Sequence, residues 1–192
     1  MSYKNILAQI NGCTFCEPHL SHKARPVVTA HAHSRIVVIG QAPGRKVHES
    51  GIPWDDKSGD RLREWMGLDK EAFYDTKNLA IIPMGFCYPG TGKSGDLPPR
   101  RECAPLWHGP LLESLERVQL TLLIGAYAQR YYLRANPHKS LTETVRSFRD
   151  FLPDTIVLPH PSPRNNIWMK RNPWFGRELL PVLKEYVRDI LP

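Results

Sequence analysis

Four short apolar runs, separated by stretches long enough for helices, limit what this chain can fold into. They are Arg35–Gly40, Leu79–Ile82, Leu120–Ile124 and Thr155–Leu158. Their centres, such as Ile36-Val37-Val38-Ile39, are β-branched or leucine-rich without polar alternation. That is the composition of strands covered on both faces. Strands spaced by helices pair in parallel, with helices packed above and below the sheet. The expected fold is α/β: a three-layer α/β/α domain with a central four-stranded parallel sheet, forming one unit over residues 1–192.

Helices are expected over Tyr3–Ile10, Gly59–Met66, Cys103–Val118, Ala126–Leu133, Leu141–Phe151 and Pro173–Leu191. In the third, Leu106, Leu111, Leu112 and Leu115 fall on the inward face. His19–His33 is basic, rich in histidine and without apolar period, so it reads as a surface loop with solvated histidines.

Parallel topology sends the loops after all four strands to the same edge of the sheet, where open α/β sheets place their ligands. The loop after the first strand, Gln41–Trp54, is long and polar: Gln41-Ala42-Pro43-Gly44, then Arg45-Lys46-Val47-His48-Glu49, then Pro53-Trp54. The others begin Pro83-Met84-Gly85-Phe86-Cys87, Gly125-Ala126-Tyr127 and His160-Pro161-Ser162-Pro163-Arg164-Asn165. All four are expected to meet at one cleft, with the segments after Ile39 and Leu158 facing each other across a slot wide enough for one nucleobase. A fragment Gly92-Lys93-Ser94 imitates a phosphate loop, but the glycine that motif needs five residues before Gly92 is Cys87. Nucleoside triphosphate binding is therefore excluded.

The net charge of +7 and pI near 9.4 point to an anionic partner, most often nucleic acid. Trp168, Lys170, Arg171 and Trp174 interleave aromatic and basic groups, which suits the same partner. The start, Met1–Cys13, lacks the apolar core of a signal peptide, no apolar run reaches membrane-spanning length, and a cytoplasmic, monomeric protein is expected. In a reducing compartment, Cys13, Cys16, Cys87 and Cys103 read as metal ligands. A C-x2-C pair joined to a pair fifteen residues apart suits an iron–sulfur cluster or, alternatively, zinc. Such a centre would pack the segment 1–34 onto the domain.

Gly40-Gln41-Ala42-Pro43-Gly44, Gly51-Ile52-Pro53-Trp54, His160-Pro161-Ser162-Pro163 and the four cysteines, in this order and spacing, resemble the uracil-DNA glycosylase superfamily. The nearest branch is family 4, the iron–sulfur uracil-DNA glycosylases. The resemblance covers essentially the whole chain. It implies a base-excision repair enzyme that flips uracil or another deaminated base out of DNA and hydrolyses its N-glycosidic bond. A non-catalytic DNA- or nucleotide-binding module, or a hydrolase of free nucleosides, are the alternatives on the same fold.

The resemblance also implies roles. His160 would donate to the base carbonyl as it becomes anionic, with Gln41, His48 and Glu49 as further catalytic candidates. Gly40, Ala42, Trp54 and Met84 would hold the base, Trp54 as a stacking face. Arg45, Lys46, Ser162, Arg164 and Asn165 would contact DNA. Cys13, Cys16, Cys87 and Cys103 would hold a [4Fe–4S] cluster. The chain departs from the pattern in four places, one of them His48, which stands where family 4 commonly has an acidic residue. Gln41 replaces the family's glutamate, and Ala42 stands where a related branch has a water-activating aspartate. Pro83 occupies the position of the asparagine that reads the uracil edge, and it has neither amide side chain nor N–H.

Overall fold

The computed structural model describes residues 2–93, 95–134, 138 and 140–191. Ser94 of the Gly92-Lys93-Ser94 fragment lies outside them. The core is a parallel sheet of β1 (Ile36–Ile39), β2 (Leu79–Ile81), β5 (Leu120–Ile124) and β6 (Thr155–Leu158) in the order β2-β1-β5-β6. A short antiparallel hairpin, β3 (Thr91–Gly92) and β4 (Gly95–Asp96), stands apart from it. Val38 registers with Ile81 on one side and Leu122 on the other, and Leu123 with Val157. Every residue of β1 and β2 is buried, as strands with helices on both faces must be. The α/β/α expectation is thus met.

After β1 the chain steps to β2 on one side, then crosses to β5 on the other. The loops leaving β1 and β5 therefore diverge, opening a crevice at the carboxyl ends of the strands.

The free edge of β2 is covered by the segment after His22, which is more than a surface loop. Thr29 and Ile81 exchange both backbone hydrogen bonds, at 3.1 and 2.7 Å, and Val27 N–H donates to Phe86 O at 2.7 Å. Val27 and Ala30 are buried there, and an edge that would otherwise recruit another strand is closed.

Two expected helices are broken. In place of Cys103–Val118 there is a π-helical turn, Ala104–His108, followed by a short helix, Gly109–Glu113. The C-terminal helix likewise has a π turn, Phe175–Leu179, ahead of Leu180–Ile190. Pro110 and Pro181 explain both: neither has the N–H an α-helix would aim at Leu106 and Arg177, and each ring would crowd that carbonyl. The wider turn changes the helical phase, so Leu106 is 44 % exposed while Leu111 and Leu115 remain in the core. Leu141–Phe151 divides at Ser147 into Leu141–Arg146 and a 3-10 turn, Phe148–Phe151. Among the described residues, no helix is long and apolar enough to cross a membrane.

Candidate active site

The long loop after β1 contains a helix of its own. Arg45–Ser50 is helical, closed by Gly51 in the left-handed region at φ 75. Its one buried residue is Val47, so the apolar pattern was too thin to reveal it. This turn sends Arg45, Lys46 and Glu49 to the exterior, where Arg45 pairs with Glu49 at 3.4 Å across an exposed helical face.

The chain then returns to the sheet at Pro53-Trp54. Trp54 adopts φ 57, an uncommon conformation for a bulky residue. Its indole lies directly over Gly40: a Cβ at Gly40 would meet Trp54 Cζ2 at 2.8 Å. Its carbonyl lies over Gly59, where a Cβ would come within 1.7 Å of the oxygen. Two glycines therefore admit one aromatic residue, and such backbone strain is typical of functional sites. Asp56 begins the next helix, Lys57–Met66, its Oδ1 accepting from Gly59 N–H at 2.9 Å.

From the other end of the sheet, β6 delivers His160. Gln129, buried in the helix Gly125–Tyr132, donates from Nε2 to Leu123 O at 3.3 Å and Leu158 O at 2.9 Å. It thereby ties together the ends of β5 and β6. Asn165 Nδ2 donates to His160 O at 2.7 Å, and Arg61 donates to Pro161 O at 3.3 Å and Ser162 O at 3.2 Å. His160 Nδ1 accepts from Ser162 N–H at 3.2 Å. That contact makes Nδ1 the lone-pair nitrogen and leaves the proton on Nε2. Burial lowers the His160 pKa, against a smaller opposing pull from the Asp56 carboxylate, so the ring is neutral at pH 7.

These pieces enclose a cleft of about 450 Å³. Gly40, Gln41, Ala42, Trp54, His160, Ser162, Arg164 and Asn165 all line it. Trp54 and His160 adjoin rather than oppose, with ring centroids 5.5 Å apart and planes at 35°. A base held between two rings needs roughly 7 Å, twice a van der Waals contact. The two rings form one continuous surface at the cleft, against which a base can lie.

Several expected residues are elsewhere. His48 does not line the cleft; its ring sits 4.3 Å from His22 and 5.8 Å from Tyr88. Burial, with His22 and Arg25 nearby, holds its pKa down. Glu49, Arg45 and Lys46 are also outside the lining. Met84 is buried behind the wall, its N–H donating to Gly40 O at 3.0 Å. Among the described residues, the loop after β5 contributes none to the lining, because its helix starts at once from Gly125.

The wall between β2 and the hairpin is largely apolar: Val27, Ile81, Pro83, Pro89 and Leu97. Pro83 has no N–H to offer, and its carbonyl already accepts from His108 Nε2 at 3.0 Å. Gly85 N–H is taken by Gln41 O at 3.0 Å. His108 itself is buried, hydrogen-bonded through Nδ1 to the Tyr132 hydroxyl at 2.6 Å, and pushed down to about 4 by that burial.

Sequence reasoning passed over Asp56, Ser58, Asp96 and Arg61. Asp56 had a readable signal, an aspartate three residues ahead of a glycine at a helix start. Asp96 reaches the cleft only because the hairpin folds over it, with Tyr88 Oη 3.5 Å from Asp96 Oδ1. No local pattern encodes that.

The four cysteines gather on one side of the molecule. Cys16, Cys87 and Cys103 are buried, and Cys13 is partly so. Burial pushes the Cys87 thiol up to about 11 and the Cys103 thiol up to about 12, and the neighbouring sulfurs, including Cys13 and Cys16, add to both shifts. Among the described residues, no group of three or more His, Cys, Asp or Glu side chains forms a ready-made site for a metal ion.

A solution NMR structure of a candidate uracil DNA glycosylase from Methanosarcina acetivorans aligns over 83 % of this chain and 94 % of its own, at 16 % identity and a TM-score of 0.44. The family description that matches residues 27–184 is that of the uracil DNA glycosylase superfamily. It spans the sheet, the Trp54 turn and the His160 loop, and the chain therefore belongs to the uracil DNA glycosylase superfamily.

Proposed function

We propose that the protein is a base-excision glycosylase that hydrolyses the N-glycosidic bond of uracil or another deaminated base flipped out of DNA. The observation that carries this reading is the Trp54–His160 surface, with an indole face beside an imidazole whose tautomer presents a proton on Nε2. A flipped base stacks on Trp54. As the bond to C1′ breaks, electrons flow into the base, and His160 Nε2–H donates to the carbonyl oxygen that takes the charge. Because the imidazole is neutral, it stabilises the anion as a hydrogen-bond donor. Ser162 and Arg164 at the mouth are suited to phosphate, and the net charge of +7 favours DNA at longer range.

The apolar wall bears on which base is taken. Pro83 brings no amide to that wall, and the N–H groups of Met84 and Gly85 are bonded to Gly40 O and Gln41 O, so that side of the cleft offers a base no paired donor and acceptor with which to reject a wrong one strongly. Discrimination then rests on shape. The expected result is release of uracil, hypoxanthine and xanthine from oligonucleotides at rates within about 100-fold of one another. Alkali-induced strand breakage at each base, in single and double strands, measures this. DNA binding without release would support the non-catalytic module, and cleavage of free nucleosides alone would support the nucleoside hydrolase.

We further propose that Cys13, Cys16, Cys87 and Cys103 would hold a [4Fe–4S] centre. Support comes from the all-sulfur donor set and from the burial of Cys16, Cys87 and Cys103. Zinc, the alternative, draws four thiolates in to about 2.3 Å from one ion. Those cysteines would tie the segment 13–16 to the chain on both sides of the hairpin, through Cys87 before it and Cys103 after it, a structural cross-link. Protein purified without oxygen is expected to be brown, with iron and acid-labile sulfide in equal amounts. Stoichiometric zinc without sulfide would exclude the cluster.

A further inference from the structure

Resting on the glycosylase reading above, we propose that Asp56 is the catalytic base that takes a proton from the attacking water. Hydrolysis at C1′ needs a group that orients a water and receives its proton, and most of the chain's candidates are unsuited. Gln41 and Ala42 line the cleft but cannot accept a proton. Glu49 lies outside the lining, paired with Arg45. His48 also lies outside it, packed against His22 and Tyr88.

Among the described residues, four ionisable side chains do line the cleft: Asp56, Asp96, His160 and Arg164. Arg164 does not deprotonate in a protein. His160 is committed as a donor, because its free lone pair is already engaged by Ser162 N–H. Asp96 is exposed on the hairpin beside the Tyr88 hydroxyl.

Asp56 differs from Asp96 in three respects. It is partly buried and two residues from the stacking tryptophan. Its charge acts on the His160 ring. Its position is fixed, because Oδ1 caps the helix Lys57–Met66 through Gly59 N–H, whereas Oδ2 has no hydrogen-bond partner among the described residues. One oxygen thus anchors the carboxylate and the other remains for a water.

The step balances without a further reactant. Water adds to C1′ while its proton passes to Asp56 Oδ2. The C1′–N bond breaks, and its electron pair leaves with the base, which His160 Nε2–H stabilises. Asp56 then returns the proton to the released base through solvent.

The test uses Asp56→Asn, because asparagine caps a helix as well as aspartate but accepts no proton. Single-turnover release of the base that the wild type removes fastest is expected to fall about 10²–10⁴-fold. Binding of an oligonucleotide bearing a tetrahydrofuran abasic analogue, and Tm, are expected to stay close to wild type. Asp56→Ser, which also caps, should show the same loss, and Asp55→Asn should not. Retention of more than a tenth of the wild-type rate in Asp56→Asn, or a loss confined to DNA binding, would overturn the assignment while leaving the glycosylase reading in place. A wild type that releases no base from any strand would instead remove that reading, and this step with it.

Discussion

Replacing His160 with alanine is expected to slow base release by about 10²–10³-fold, the usual cost of deleting one preorganised donor to a developing anion. The loss should appear in the single-turnover rate and not in DNA affinity, because the donor matters only once charge has moved into the base. The fold should survive, since the loop is held by contacts independent of the ring: Arg61 on Pro161 O and Ser162 O, and Asn165 on His160 O. The same geometry sets a pH dependence. Burial lowers the folded pKa of His160 below its ordinary 6.5, so the unfolded chain takes up that proton first as pH falls. The contribution of the neutral ring is therefore complete above pH 6.5 and lost on the acid side. Protonation there would place a hydrogen on Nδ1, facing the Ser162 N–H. Rates measured from pH 6.5 to 8 should show no titration from His160. A loss smaller than tenfold in His160→Ala would remove the residue from the mechanism.

The largest effect on stability is expected from Gly59→Ala. A Cβ at this position would lie 1.7 Å from Trp54 O and 2.6 Å from its carbonyl carbon. Both are backbone atoms, so no rotamer change relieves the overlap. Either the helix Lys57–Met66 shifts off its Asp56 cap or the Trp54 turn opens. Overpacking of this kind costs about 3 kcal/mol. For a chain of this size that is a fall of roughly 6–12 °C in Tm. Base release should fall with it, because the same movement carries Trp54 away from Gly40 and His160. Gly176→Ala is the comparison, since nothing lies within 4 Å of a Cβ there. Equal melting temperatures for the two variants, read by circular dichroism, would show that the Trp54 carbonyl is not held against Gly59.

The architecture was written in local pattern. Apolar runs such as Ile36–Ile39, buried on both faces, could pair only in parallel with helices between them, and the placement of the loops at one sheet edge followed, whereas the order β2-β1-β5-β6 did not. The residues of the Trp54 and His160 loops were legible for the same reason, since each follows its strand directly. What local pattern could not carry was distance and facing. Whether Trp54 and His160 oppose or adjoin depends on a glycine at position 40 that lets an indole lie flat on the backbone. Whether His48 reaches the cleft depends on a six-residue helix with one buried side chain, too short for its periodicity to register. Asp56 and Asp96 enter the site from a helix cap and a hairpin whose positions are set by packing against distant segments. Periodicity specifies what a residue is next to along the chain; only the packed core decides which side chains share a cleft.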